Sequence, residues 1–345
     1  MRVPRVELSP RARTNPVSLS VCLIVRDAES TLTRCLESIS PIADEIIVVD
    51  TGSIDSTVEI AEAFDARVGY FEWCDDFSAA RNEALRLATS KFILSIDADE
   101  WLSPNSASHI DDLKYAFGGR QEWAMHTVAV ENSTSEEDAC VTFTGPRLFP
   151  RSGTAWKRRI HEYPDNPRFN VLLNPRIRIQ HEGYQADQSE RTARNLRILR
   201  AGLESASDEE DFCHYLFYIC RYGVGISGYA PKDLTAGYER CVAGGTSMIR
   251  CSALDLLMDC YYALGDFDRM IELCERHRED LTFYSHSSLI AAYAKADRMD
   301  EARAAFSQLY PNYVVQRDRG TLDRAPEVVV RMETLIARLQ VAALR

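Results

Sequence analysis

Several features that would each assign this sequence to a class are missing from it. Its ten cysteines are scattered, and none forms a CxxC or a close Cys/His pair, so the spacing of a zinc site is absent. No segment approaches the roughly twenty apolar residues needed to cross a bilayer; the longest apolar run, Val21 to Val25 with its flanks, falls far short. The stretch from Met1 to Pro16 is rich in Arg and Pro but lacks the apolar core of a signal peptide, and reads as a mobile tail. Positive charge is also in deficit. With 40 Lys and Arg against 52 Asp and Glu the formal net charge is -12, a field that repels polyanions and argues against generic nucleic-acid coating.

What is present is an ordinary globular composition, 46% hydrophobic and 27% charged, with ample material for a large core. A chain of 345 residues exceeds the size at which one core usually stops growing, so two domains are expected. Cysteines inside apolar helical patterns behave as small hydrophobes, as in a reducing cytosol, and the expected setting is cytoplasmic. Between Arg147 and Arg178 the overall charge balance reverses: eight Arg or Lys stand against Glu162 and Asp165. That bias suits a small anionic ligand held within an acidic protein.

The apolar, β-branched runs Leu19–Val25, Glu45–Asp50, Arg67–Phe71 and Phe92–Asp97 read as strands. Helical spacing fills the intervals, with Ser30, Asp55 and Asp76 as expected N-caps. Strands alternating with short helices imply an α/β fold with a parallel, Rossmann-like sheet and helices on both faces. Ligands of such sheets collect beyond the carboxyl ends of the strands, where Arg26, Asp50 and Asp97 fall. From about Trp123 to Ile179, shorter β-like runs (Ala124–Val130, Val141–Phe143, Arg147–Phe149, Val171–Leu173, Ile177–Ile179) predict a mixed extension of the same sheet. After His181 helical periodicity runs to the end. Within it Tyr262-Ala263-Leu264-Gly265-Asp266 and Tyr293-Ala294-Lys295-Ala296-Asp297 align at a shift of 31 residues, close to the tetratricopeptide period of about 34. The expected division is a tail over 1–16, an α/β domain over 17–185 and a helical repeat-like domain over 186–345.

Three motifs carry chemistry. Asp97-Ala98-Asp99-Glu100 follows an apolar strand, and two carboxylates flanking one small residue at a strand end can reach a single hard cation; a polar loop closing the strand is the plainer alternative. Val48-Val49-Asp50-Thr51-Gly52-Ser53 places an acid at a strand end before a glycine turn, where a carboxylate can accept from a nucleobase N–H or ribose hydroxyl. Asp55, Ser56 and Thr57 are read as helix caps. In Asp76-Phe77-Ser78-Ala79-Ala80-Arg81-Asn82, Arg81 offers a fork of donors to a phosphate or a base carbonyl, or simply pairs with Asp75 or Asp76.

Together with Cys22-Leu23-Ile24-Val25-Arg26-Asp27-Ala28-Glu29 and Phe71-Glu72-Trp73, these blocks resemble the family 2 glycosyltransferases, whose GT-A fold binds a nucleotide sugar over a Rossmann-like sheet. The match runs continuously from about Leu19 to Trp101. It is most similar to the subgroup with C-terminal tetratricopeptide-like helices, which includes the peptide S-glycosyltransferases of sublancin-type bacteriocins. The resemblance implies a UDP-sugar donor, a Mn²⁺ or Mg²⁺ cofactor and inversion at the anomeric carbon. It makes Val25, Glu29 and Asp50 the nucleoside site, with Arg26, Arg81 and Ala98 among the donor contacts, and Asp97 and Asp99 the metal and diphosphate residues. The family's first block usually reads Lys-Asn-Glu; Arg26-Asp27-Ala28-Glu29 departs from it and leaves Asp27 without a matched role.

Ile160-His161-Glu162, Gln180-His181-Glu182-Gly183-Tyr184 and Arg194-Asn195 also resemble subgroup signatures. An inverting displacement needs a carboxylate to take the acceptor proton, and Glu162 is the candidate, its alternative being an ion pair with Arg158 or Arg159. His181 is a candidate metal ligand or a core histidine. His161 touches the diphosphate, orients Glu162 or is structural. Trp156 stacks on a sugar or belongs to the core, and Trp73 and Trp101 read as core. A loop around 151–166 is expected to close over the donor. Acceptors compatible with this donor logic are a peptide, protein, saccharide or lipid-linked saccharide; a modified nucleobase fits the acidic charge less well, and a homo-oligomer stays open. So do two other classes: a non-catalytic scaffold or binding module using the helical repeats, and a nucleotidyltransferase. The second lacks a Gly-rich, Lys- or Arg-bearing triphosphate loop after the first strand.

Overall fold

The fold is seen in a computed structural model that describes residues 16–118, 123–133, 140–182, 188–224, 231–319 and 325–339. Most of the expected tail, Gly183 and Tyr184 of the His181 motif, and the expected domain boundary at 185/186 lie outside the described residues. The four apolar runs of the first hundred residues form β1 (Leu19–Val25), β2 (Glu45–Asp50), β3 (Arg67–Tyr70) and β4 (Phe92–Ser95), and α1 (Leu32–Ile39), α2 (Thr57–Ala63) and α3 (Phe77–Leu87) occupy the intervals. β2–β1, β1–β4 and β2–β3 all pair in parallel.

Strand alternation explains why both faces are covered. Leu19, Val21, Leu23 and Val25 of β1 pack with Leu32, Leu36 and Ile39 of α1 on one face, while Cys22 joins Ile47, Val49, Ala84 and Leu85 on the other, under α3. A strand buried on both sides reads as a near-continuous apolar run, and β1 does so apart from Ser20. Each fully buried Val or Leu side chain contributes about 1.5–3 kcal/mol relative to exposure.

The chain continues through β5 (Glu100–Leu102), α4 (Pro104–Gly118), β6 (Met125–Ser133), β7 (Cys140–Pro150), β8 (Ala155–Lys157), β9 (Tyr163–Asp165) and β10 (Val171–Glu182). Among the described residues the sheet has eight strands in the order β3-β2-β1-β4-β7-β6-β10-β5. β7 is antiparallel to both β4 and β6, β10 is parallel to β6, and β5 is antiparallel to β10, so the extension is mixed as expected. β7 and β10 each absorb two of the short runs read from the sequence. The register shifts inside both strands explain the apparent breaks, because a bulge interrupts alternation without ending the ladder. β8 and β9 form a separate two-stranded sheet within the segment expected to be a closing loop.

The contacts divide the chain into two compact units that meet between Arg191 and Thr192. The second unit is helical: α5 (Gln188–Glu204), which bridges the division, then α6 (Glu209–Val224), α7 (Pro231–Gly244), α8 (Ser247–Leu264), α9 (Phe267–Arg276), α10 (Phe283–Lys295), α11 (Met299–Arg319) and α12 (Ala325–Leu339). The repeated small-residue turns are visible here. Gly265 closes α8 in the left-handed region (φ 73°), and Asp266 caps α9 by accepting from the Arg269 N–H at 3.1 Å. The matching turn after α10 has Asp297 at φ 61° and leads into α11. No helix among the described residues is long and apolar enough to cross a membrane.

One polar staple ties the sheet together at its amino-terminal edge. The Glu45 carboxylate, at the start of β2, accepts from the Ser20 hydroxyl, the Ser90 N–H (2.9 Å) and the Thr89 hydroxyl (3.0 Å). Partial burial pushes its pKa up, but these hydrogen bonds outweigh burial and hold it below the ordinary glutamate value. A depressed carboxyl pKa adds stability that is present above the unfolded-chain pKa and lost as pH falls through the folded one. Glu45→Gln is therefore expected to cost about 1 kcal/mol at pH 7, a low figure because water screens the half-exposed group. In urea denaturation the difference from wild type should shrink as pH falls below about 4; an equal loss at pH 7 and in acid would contradict it.

Candidate active site

β1 lies between β2 and β4, so the chain leaves β1 first to one side and later to the other. The crevice created by that reversal opens at the carboxyl ends of the parallel strands. Arg26 follows β1, Asp50 ends β2, and Asp97 and Asp99 follow β4, which places all four on one rim. The ends of β2 and β4 stand two strand spacings apart, about 10 Å.

On the β2 side the acids are largely engaged by backbone. Asp50 is buried and accepts from the N–H groups of Gly52 (3.1 Å) and Ser53 (3.2 Å), in a turn that needs Gly52 at φ 106°. Val25 is packed in the core, and its carbonyl accepts from both the Thr51 N–H (2.9 Å) and hydroxyl (3.0 Å). Asp27 accepts from the Ile54 N–H at 2.8 Å, and Glu29 from the Ser56 N–H at 3.1 Å, while the Glu29 N–H donates to Asp55 at 3.1 Å. The loops after β1 and β2 are thus laced together by their own carboxylates, and that is the role Asp27 has in the fold. Arg26 is exposed, with Nε 3.8 Å from Asp27.

The centre of the site is Arg81. Its side chain is 9% exposed, yet it carries a charge answered from two directions: Nη2 donates to Asp97 Oδ1 and Nε donates to Glu162 Oε1, both at 2.7 Å, and Nη1 donates to Ser95 Oγ at 3.1 Å. Burial opposes the charged form of Arg81, but Asp97 and then Glu162 outweigh it and hold the guanidinium more firmly protonated than usual. The expected alternative partners Asp75 and Asp76 do not take this role; Asp76 instead caps α3 by accepting from the Ala79 N–H at 3.0 Å.

Glu162 reaches Arg81 because its hairpin is fastened to α3. The Asn82 side chain donates to the Trp156 carbonyl (2.9 Å) and accepts from the Trp156 N–H (2.8 Å), imitating a strand partner for β8. The Phe77 N–H donates to the Arg159 carbonyl at 2.8 Å. Trp156 is buried in the core under α3, with the Arg81 guanidinium 5.0 Å from its ring centroid, so the core reading holds for it. His161 adopts a left-handed backbone (φ 54°) just before Glu162.

Asp97 is held a second time, by Arg147 Nη2 at 3.6 Å from Oδ2. Burial alone would raise the Asp97 pKa; the charges of Arg81 and Arg147 reverse that and keep it well below the usual carboxylate range. Asp99, as partly exposed as Asp97, meets no arginine among the described residues and faces His181 Nε2 at 3.3 Å. The hydrogen bond to Asp99, against the effect of burial, raises the His181 pKa. Ala98 packs against the core between the two acids. Among the described residues no group of three or more His, Cys, Asp or Glu is arranged to hold a metal ion.

Glu100 closes the Asp97–Glu100 motif, and Arg147 is one of the cations, with Arg158 and Arg159, expected near the phosphates; the structure instead pairs Arg147 with the buried Glu100 at 3.0 Å. A charged residue on an apolar strand flanked by Pro146 and Leu148 was the available signal for that pairing. Within the seven residues Arg81, Asp97, Asp99, Glu100, Arg147, Glu162 and His181, two guanidinium groups face four carboxylates. Excess negative charge remains even when His181 carries a proton, which suits a cation.

Residues 20–112 match the model of Glycosyl transferase family 2. A TPR repeat-containing protein of Synechococcus elongatus is 35% identical over 191 residues, covering 52% of this chain and 46% of that protein. The SPbeta prophage-derived glycosyltransferase SunS of Bacillus subtilis is 26% identical over 216 residues, covering 61% of this chain and 50% of that protein. The chain therefore spans about half the length of these curated relatives. Among solved structures, that of S. aureus TarS 1-349 in complex with UDP-GlcNAc aligns over 88% of this chain and 92% of its own, at 15% identity and a TM-score of 0.43. The segment 20–112, which carries the Asp50, Arg81 and Asp97–Asp99 motifs, is accordingly a glycosyl transferase family 2 domain.

Proposed function

We propose that the first unit binds a UDP-sugar at the carboxyl ends of β1, β2 and β4 and transfers the sugar to a nucleophilic acceptor with inversion, using Mn²⁺ or Mg²⁺. The observation that carries this reading is the Arg81 fork, which joins Asp97 of the family motif to Glu162 of a distant hairpin at the mouth of the sheet crevice. Titratable groups with specific charge partners, gathered at the ligand-binding end of an α/β sheet, mark a functional-site candidate.

In this reading Asp50 faces the nucleoside. A carboxylate has about four lone-pair sites, and those not taken by Gly52 and Ser53 accept from a base N–H or a ribose hydroxyl. Asp97 is occupied by two arginines, so Asp99 and His181 are the residues that would hold the cation. A single carboxylate with an imidazole is a sufficient protein contribution, because Mg²⁺ and Mn²⁺ sites in nucleotide enzymes draw further ligands from phosphate and water. When bound, the ion screens the charge that develops on the departing diphosphate.

Arg81 holds one Glu162 oxygen in place, and the other takes the proton from the attacking acceptor. Trp156 and Asn82 keep the hairpin at that distance. Acceptor selection falls to surfaces beyond this centre, and the helical unit, with its repeated turns, is the candidate for binding a peptide, protein or saccharide acceptor.

Calorimetry with UDP tests the donor site first: binding is expected in Mn²⁺ and at least about tenfold weaker in EDTA or in Asp99→Ala, whereas metal-independent uptake would remove the reading's basis. Initial rates of metal-dependent UDP-sugar turnover should fall about 10²–10³-fold in Asp99→Ala. With a readily ionised thiol acceptor Glu162→Gln should lose less than that; with a hydroxyl acceptor the two losses should be comparable. Full activity without Asp99 would defeat the proposal.

A further inference from the structure

The most deeply buried acid at this centre is Glu100, and donor or acceptor binding gives it no role. Its side chain is 4% exposed and faces Arg147, itself 12% exposed. One carboxylate oxygen accepts from Arg147 Nη2 at 3.0 Å; the other accepts from the Asp97 N–H at 2.8 Å. The Glu100 N–H returns a bond to the Asp97 carbonyl at 3.0 Å. Both backbone polar groups of Asp97 are thus tied to one residue, and the four-residue turn between them can adopt few other shapes.

Two further connections pass through the same pair. Arg147 also faces the Asp97 carboxylate. Glu100 opens β5, whose antiparallel register sets it opposite His181 of β10, the residue that meets Asp99. Arg147 lies on β7 beside Leu148, which pairs with Leu94 of β4, so the neighbouring strand delivers the guanidinium to the end of β4. A carboxylate is costly to bury unless it is paired and hydrogen-bonded, and here every partner that compensates the burial belongs to the Asp97–Asp99 turn or to the strand beside it.

We propose that Glu100, with Arg147 as its counter-charge, is the positioning residue that fixes the Asp97–Asp99 turn for cation and diphosphate binding; this rests on the transferase reading given above. Arg147 accordingly acts from within the protein on Asp97 and Glu100, without contacting phosphate. The charge on Glu100 matters apart from its volume. A glutamine there keeps the bond to the Asp97 N–H through its carbonyl but turns an amide NH₂ toward Arg147, leaving donor against donor.

A double-mutant cycle on the full chain, read by calorimetry of UDP binding in saturating Mn²⁺ and by the Mn²⁺ concentration that half-restores it, tests the assignment. Glu100→Gln and Arg147→Met are each expected to weaken UDP binding at least about tenfold and to raise the Mn²⁺ requirement. The double variant should lose no more than the worse single one, because the two groups act as a unit. Arg147→Lys, which keeps the charge, should recover most of the loss. Should Arg147→Met fail to fold, Glu100→Gln and Arg147→Lys decide the matter. Folded variants with wild-type UDP and Mn²⁺ behaviour, or losses that multiply in the double variant, overturn the assignment alone. A wild-type protein that takes up no UDP with Mn²⁺ overturns the transferase reading and this assignment with it.

Discussion

A guanidinium buried at the end of a sheet has to be answered by negative charge, and the first unit is built around the answer given to Arg81. Removing a charge from water costs several kcal/mol even after relaxation, and the cost is met only when the partners sit at hydrogen-bond distance in good geometry. Asp97, Glu162 and Ser95 all do, at 2.7, 2.7 and 3.1 Å. They come from the end of β4, from the hairpin of β8 and β9, and from β4 itself. α3 must therefore lie against β1 and β2 at one height only, and the hairpin must be fastened to α3, as the Asn82–Trp156 bonds and the Phe77–Arg159 bond accomplish.

Much of this architecture was legible in the sequence because a local rule governed it. β1, β2, β3 and β4 fall where continuous apolar runs predict strands, and α3 starts at the Asp76 cap. The other two expected caps lie one residue early, since Thr31 and Ser56 take those positions without a side-chain cap bond. At α2 the Asp55 carboxylate still accepts from the Thr57 N–H at 3.0 Å, so the local chemistry was read correctly and the boundary was not. β5 and α4 went unread: β5 is only Glu100–Leu102, too short to show a period, and α4 mixes polar and apolar residues around its circumference.

What no local pattern could supply was the pairing of charges far apart in sequence. Arg81 and Glu162 are 81 residues apart, and Arg147 and Glu100 are 47 apart. Arg81 and Glu162 stood out as ligand and base candidates, yet in their own windows only adjacent ions such as Asp75, Asp76, Arg158 and Arg159 offered themselves as partners. The sheet brings each pair together only because β7 returns antiparallel beside β4 and the β8–β9 hairpin folds back on α3. The same limit shaped the nucleoside corner. Asp50 and Glu29 stood out as ligand candidates, yet their oxygens first satisfy the N–H groups of Gly52, Ser53 and Ser56, and so hold the loops that any ligand would meet.

The most direct test of this account is the unfolding free energy of Arg81→Met by urea denaturation at neutral pH. If Arg81 compensates the charges of Asp97 and Glu162, its removal leaves Glu162 without its guanidinium and Asp97 with only Arg147 at 3.6 Å, and should cost about 3 kcal/mol. An Arg81→Met protein as stable as wild type would contradict it, and would mean that water, not the guanidinium, keeps those carboxylates in place.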